Sequence, residues 1–158
     1  MSVPKIPSTF PFRISYSVGE SFSCFYDLRA RNGRAIILEN FDSEDPNSKV
    51  SSFSLMVIEF SHPNSAAALM EDETARLEHI GTKLKIDTQF GDKQLIAYES
   101  SPYSKSDGDV YYSIRVGVLV FRIAFELVSL ADQDDPGALT ADLVASLLHI
   151  YRDVGERY

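Results

Sequence analysis

One segment of the chain is apolar on both sides of an extended strand. In residues 52–60, one face of the strand would carry Phe53, Leu55 and Val57, and the other face would carry Met56, Ile58 and Phe60. Successive side chains of a strand point to opposite faces, so this segment has no polar face to turn to water. We therefore predict a central strand with a packed layer on each side.

Stretches of alternating apolar and polar residues before this segment predict further antiparallel strands. The expected inward positions are Phe10, Phe12, Ile14, Tyr16 and Val18 in a first strand, and Phe22, Cys24, Tyr26 and Leu28 in a second. Asn32-Gly33 favours a type I′ hairpin turn, which leads into a third strand at 35–38. Residues 41–50 are polar and predict a mobile surface loop.

The second half of the chain also contains stretches in which apolar and polar residues alternate. Residues 84–90 predict a strand, Gly91-Asp92 a turn, and 94–98 the next strand. The longest apolar region spans 110–128, about twice the usual strand length of roughly 3–10 residues. We therefore expect Gly117 to turn a hairpin between two strands.

Two amphipathic helices complete the pattern. The first is predicted from Asn64 or Ser65, as the N-cap, to about Ile80, with Gly81 as a left-handed C-cap. Its expected inner face is Ala66, Leu69, Met70, Leu77 and Ile80. Residues 71–73 are acidic and expected on the solvent side, where Asp72 is expected to pair with Arg76.

The second helix is predicted to begin at Asp134 or Asp135, with Pro136 in its first turn. Its expected apolar stripe is Leu139, Leu143, Leu147, Ile150 and Val154. The order of strands, helix, strands and helix predicts an α+β fold, an α/β/α sandwich with an antiparallel sheet of about six to eight strands flanked by two helices. The 158 residues fit a single domain, 1–158, with 1–9 expected to be flexible.

Charge and cysteine content limit the classes of partner. The net charge is −8, from 15 basic and 23 acidic residues. This balance argues against nucleic acid and against an anionic membrane surface, but it permits a basic protein partner. Cys24 is the only cysteine and residues 1–11 contain three prolines and no export signal, so we expect a cytoplasmic protein without disulfides.

Known catalytic and metal-binding patterns are missing from the sequence. His62, His79 and His149 are too far apart for local ligand spacing, and Asp132–Gly137 fails as a calcium loop because Pro136 occupies a ligand position. There is no nucleophile elbow and no glycine-rich phosphate loop. The pairs Glu71/Glu73 and Asp107/Asp109 are expected on the surface, so we predict no catalytic, cofactor-binding or metal site.

Two groups of residues remain as candidate partner contacts. Arg29, Arg31 and Arg34 surround one hairpin turn, where they either grip a carboxylate or phosphate or form a solvated turn. The region 98–112 carries tyrosines and acids, of which Tyr103, Asp107, Asp109 and Tyr111 are the candidates. Tyrosine is enriched in interfaces. Tyr112 lies on the same face of its predicted strand as the apolar residues, so it is expected in the core.

The order of elements resembles the PsbP-like and DcrB-like α/β/α sandwich group. The likeness covers the strand-rich start (12–38), the strand that runs into a helix (53–80), and the hairpin with its closing helix (110–151). It implies a binding module, as in photosystem accessory subunits, GTPase-binding factors, and bacterial chaperone or immunity proteins. It carries over no functional residue.

Three functional hypotheses follow. The first is a small cytoplasmic protein-binding module without catalytic activity, of the immunity-protein, adaptor or effector-chaperone type. The alternative is a small-molecule-binding protein or unrecognised enzyme with a pocket between sheet and helix. The third is a homodimer that pairs through an edge strand.

Overall fold

A seven-stranded antiparallel sheet and two helices are seen in the computed structural model, which describes residues 6–17, 31–101, 107–129 and 135–151. The strands are β1 Phe12–Ser17, β2 Gly33–Ser43, β3 Val50–Phe60, β4 Thr82–Lys83, β5 Lys93–Ser100, β6 Gly108–Val116 and β7 Leu119–Leu127. The helices are α1 Pro63–Ile80 and α2 Pro136–Ile150. The strand order is β1-β2-β3-β7-β6-β5-β4. The predicted fold class is confirmed.

β3 lies inside the sheet and is covered on both sides. One face, the α2 face, holds the larger core, in which Phe53, Leu55 and Val57 share a cluster with Val144 and Leu147 of α2. The other, the α1 face, holds a smaller core of Ile58, Phe60, Ala66, Leu69, Met70 and Val120. The two-sided apolar pattern of β3 therefore specifies the sandwich, as predicted.

The strand predictions need three corrections. The polar loop is shorter than expected, because β2 continues to Ser43 and Phe41 is fully buried in the core. Ile14 does not point inward: a register irregularity follows it in β1, and the side chain is 45% exposed. Residues 84–90 do not form a strand, although the Leu84 amide donates to the Ile96 carbonyl at 2.9 Å. The predicted strand 22–28 lies outside the described residues.

The tight turns of the second half are as predicted. Gly117 has φ 60° between β6 and β7, and Gly91 has φ 63° before β5, so both adopt the left-handed conformation that glycine tolerates best. The long apolar region is thus a hairpin. Among the described residues, no helix is long and apolar enough to cross a bilayer.

Helix α1 begins and ends differently from the prediction. His62 is the N-cap residue and no side chain caps the helix, so neither Asn64 nor Ser65 has the expected role. Gly81 is extended, with φ −169°, and a Cβ there would lie 2.1 Å from the Tyr98 carbonyl oxygen. Glycine is needed at this position for a close backbone approach, and the predicted left-handed cap is wrong.

Helix α2 begins as predicted but turns another face to the sheet. The Asp135 carboxylate accepts from the amides of Gly137 and Ala138 at 2.9 and 3.2 Å. The buried positions are Gly137, Thr140, Val144 and Leu147, whereas Leu139, Leu143 and Ile150 are only half-buried. In this orientation the Tyr112 hydroxyl, buried as expected, donates to the Gly137 carbonyl at 2.8 Å. Val154 lies outside the described residues.

Candidate functional site

The register of the sheet arranges the α1 face of β5, β6, β7 and β3 into three rows. The acidic row, at one end, is Glu99, Asp109 and Glu126, followed by Ser52. The middle row is Ala97, Tyr111, Ala124 and Ser54, and the third row is Leu95, Ser113, Arg122 and Met56. Helix α1 packs on this face and brings Glu73 against Ser113 and Arg122.

Glu73 is the centre of a buried polar cluster. Its carboxylate is bound by Arg76 in two-point geometry, with Nε 3.1 Å from Oε1 and Nη2 2.8 Å from Oε2. Ser113 Oγ donates to Oε2 at 2.8 Å, and Arg122 Nε lies 3.3 Å from the same oxygen. We call these four residues the Glu73 cluster. A carboxylate that is only 4% exposed needs such partners to remain ionised.

The cluster holds Glu73 as an anion. Burial raises the pKa of its carboxyl group, but the hydrogen bond from Arg76, the charge of Arg122 and the hydrogen bond from Ser113 together lower it below 4.5. Such a carboxylate is a weak base, and Ser113 is fully buried and cannot meet a substrate. The cluster therefore serves to hold two guanidinium groups in fixed orientations.

An open groove lies beside the cluster. Its volume is about 180 Å³, and its described lining includes Leu38, Ser54, Met56, Arg76, Tyr111, Arg122 and Ala124. Pockets for drug-sized ligands usually measure about 300–1,000 Å³. The small residues Ser54 and Ala124, paired across β3 and β7, leave the space between the larger side chains. The groove therefore has room for one side chain.

Tyr111 joins the groove to the acidic row. The guanidinium of Arg76 lies 5.9 Å from the ring centroid of Tyr111, and the tyrosine hydroxyl donates to Glu99 Oε2 at 3.4 Å. Burial, followed by the charges of Asp109 and Glu99, raises the pKa of Tyr111 to about 12. The hydroxyl is protonated at neutral pH, as an ordinary tyrosine is, and acts as a hydrogen-bond donor to Glu99.

The acidic row concentrates like charges. Asp109 lies directly opposite Glu99 on one side and Glu126 on the other. Burial, then Glu126 and then Glu99, raises the pKa of Asp109. Like charges opposite one another destabilise a sheet. Within the described ranges, no group of three histidine, cysteine or acidic residues has the arrangement of a metal site.

The structure places three of the predicted partner contacts near one end of the sheet. Tyr111 lines the groove, and Asp109 lies on the same face one row further along. Asp107 immediately precedes β6, where its carboxylate accepts from the Ser129 amide at 2.8 Å. With Asp109 and Glu126 it lines a second open pocket of about 240 Å³. Tyr103 lies outside the described residues.

The two described arginines of the hairpin turn form ion pairs within the chain. Arg31 pairs with Asp72 of α1, and Arg34 pairs with Glu59 of β3 at 2.9 Å. The predicted pair of Asp72 with Arg76 is therefore wrong, since each has a different partner. Arg29 lies outside the described residues.

The alternation of apolar and polar residues in the sequence does not predict the Glu73 cluster. Glu73 was expected on the solvent side of α1 with its acidic neighbours, and it is instead buried. Its position gave a usable signal: it lies three residues after Met70 and four before Leu77, both on the inner face. Comparison of the chain with protein-family models, curated proteins and solved structures gives no match. The likeness to the PsbP-like and DcrB-like group stays a prediction, and the function has to be inferred from the site.

Proposed function

We propose that the protein is a small cytoplasmic protein-binding module without catalytic activity, and that its partner contacts the groove and the adjoining Tyr111. The observation that carries this proposal is the groove itself, which is open, has room for one side chain and is lined by Tyr111 and two arginines among other residues. Tyrosine and arginine are enriched among the residues that contribute most to protein interfaces.

The charge of the surface favours a partner with basic side chains at one end. The acidic row lies beside Tyr111, in a chain whose net charge is −8. An acidic surface accelerates encounter with a cationic one and selects against acidic competitors at that place. The proposed module is of the immunity-protein, adaptor or effector-chaperone type.

A small-molecule-binding protein is the second candidate. It is favoured by the convergence of Arg76 and Arg122 on one groove. It is disfavoured by the groove's volume of about 180 Å³ and its open form, because high-affinity small-molecule sites enclose most of the ligand. A protein partner supplies the missing contact area from its own surface.

Filling the groove is expected to weaken partner capture strongly. Ala124→Trp places a large side chain in the space beside Ser54, and Ala145→Trp makes the same change on the exposed face of α2, across the sheet. Each variant, as an immobilised bait, is incubated with native lysate, and captured proteins are quantified by mass spectrometry. We expect one protein that binds wild type and Ala145→Trp at similar levels and binds Ala124→Trp on the order of 30-fold more weakly, the loss for a contact of about 2 kcal/mol.

Thermal melts establish that both tryptophan variants are folded. Equal capture by the two variants would place the partner elsewhere and contradict the proposal, as would the absence of any stoichiometric partner. Sedimentation at micromolar concentration identifies the remaining case, in which the partner is a second copy of this chain.

A further inference from the structure

Arg122 has hydrogen-bonding capacity that the protein does not use. Its Nε lies 3.3 Å from Glu73 Oε2, and its side chain is 30% exposed. Among the described residues, its two terminal nitrogens have no hydrogen-bond partner, although Arg122 lines the groove. A guanidinium offers five N–H donors in a fixed plane, and a carboxylate satisfies two of them at once.

The Glu73 cluster leaves one positive charge without a counter-charge. Arg76 and Arg122 share the single carboxylate of Glu73, and Arg76 takes both of its oxygens. The nearest row of acids is two rows away on the sheet, and Tyr111 lies between them. An anion placed in the groove would therefore meet a guanidinium that is partly removed from water, where ion pairing is stronger than at an open surface.

The wall of the groove toward β2 is apolar. Leu38 and Met56 are paired across β2 and β3, and Met56 is paired across β3 and β7 with Arg122. A ligand bound to the guanidinium therefore has methyl and thioether groups beside it. The lining fits a carboxylate at the end of an apolar stem, and it fits a bare inorganic anion less well.

We propose that the groove is a carboxylate-binding subsite, in which an acidic side chain of the protein partner docks on the terminal nitrogens of Arg122 with its methylene groups against Leu38 and Met56. The inference rests on the proposed protein-binding function and adds the chemistry of the anchor. Glu126 and Arg122 are four residues apart on β7, which corresponds to about 13 Å along a strand. A partner segment that contacts both therefore carries its carboxylate and its basic group about 13 Å apart.

The test uses 3-phenylpropanoate as the probe and its neutral amide as the matched control, titrated into the ¹⁵N-labelled full-length protein and followed by NMR. We expect saturable shifts of the Arg122 Nε–H signal and of the Ala124 amide, with a dissociation constant on the order of several millimolar for a fragment of this size. Arg122→Gln and Ala124→Trp are expected to weaken the interaction at least about tenfold, and Ala145→Trp is expected to leave it unchanged. The amide is expected to give no saturable shift.

Several results would overturn the inference. One is the absence of saturation by about 20 mM probe, which is well above the expected dissociation constant. The others are equal shifts from the neutral amide and equal binding of the probe to Arg122→Gln. Inorganic phosphate is the third probe, and shifts as large as those of the carboxylate would define a nonselective anion site instead. Because Arg122→Gln also removes a Glu73 partner, the amide comparison on wild type provides a result that does not depend on folding of the variant.

The outcome is distinguishable from that of the protein-binding proposal. If the probe does not bind but Ala124→Trp still loses the captured partner, the carboxylate anchor is wrong and the binding surface stands. If the probe binds but the partner is captured equally by Ala124→Trp and Ala145→Trp, the subsite exists and the proposed function is wrong.

Discussion

Replacement of Glu73 by alanine is expected to lower the free energy of unfolding by about 3–5 kcal/mol, the usual cost of removing one partner from a buried ion pair. Arg76 and Arg122 would face each other without the carboxylate between them, and Ser113 Oγ would lose its acceptor in the protein interior. Urea denaturation at pH 7 measures the change. Glu71→Ala is the matched control, because Glu71 is exposed two residues earlier on the same helix. We expect it to change stability by less than about 0.5 kcal/mol.

The difference in the free energy of unfolding between wild type and Glu73→Ala is also expected to depend on pH. The pKa of Glu73 is lowered in the folded protein, below 4.5. The carboxylate therefore contributes its full stabilisation above pH 4.5, and this contribution is lost as the pH falls through the folded-state pKa. The same titration repeated in acid should show the two proteins becoming more alike. Two results would contradict the claim that the cluster is ionised. One is a loss of stability in Glu73→Ala no larger than that in Glu71→Ala, and the other is a stability difference from wild type that grows in acid.

Phe53→Ala is expected to destabilise the protein by about 3–5 kcal/mol, because it leaves a cavity in the middle of the larger core. The ring of Phe53 stacks on Phe41 at a centroid distance of 4.5 Å, and it packs edge-to-face with Phe12 at a centroid distance of 5.0 Å. The Phe125 ring lies 5.3 Å away on the neighbouring strand. Among the described residues, Phe53 makes the most ring contacts, and it is only 2% exposed.

Ile14→Ala is the control for this second variant. Ile14 is a large apolar residue on β1, but it is 45% exposed, so its truncation is expected to cost less than about 1 kcal/mol. Chemical denaturation of both variants gives the comparison. Similar losses for the two would mean that the aromatic cluster around Phe53 does not stabilise the fold as its packing indicates.

The architecture was predictable because it depends on local patterns. The two apolar sets of β3 require a layer on each face, and helical spacing before Ile80 and after Pro136 supplies those layers. Gly117 marks the hairpin because few residues tolerate its left-handed backbone. Alternation alone was misleading at 84–90, where Leu84 and Ile86 pack on the core without pairing as a strand.

The site was less predictable because it depends on long-range register. Arg122 and Ser113 are opposite each other only because β6 and β7 pair in one register. Glu73 reaches them only because α1 lies across that face. Glu73 follows two other acidic residues, which favours a solvent-exposed position. Its helical spacing from Met70 and Leu77 favours the inner face of α1, and the structure shows Glu73 buried. Burial of a charged residue is a tertiary outcome, since it requires partners from other elements.

Photocrosslinking within the native complex tests the proposed binding surface most directly. Benzoylphenylalanine is introduced at Tyr111, beside the groove, and in a second variant at His149, on the exposed side of α2. Illumination is predicted to join the captured partner to position 111 and to leave position 149 unreacted. A crosslink from position 149, with none from position 111, would show that the partner binds the opposite side of the protein.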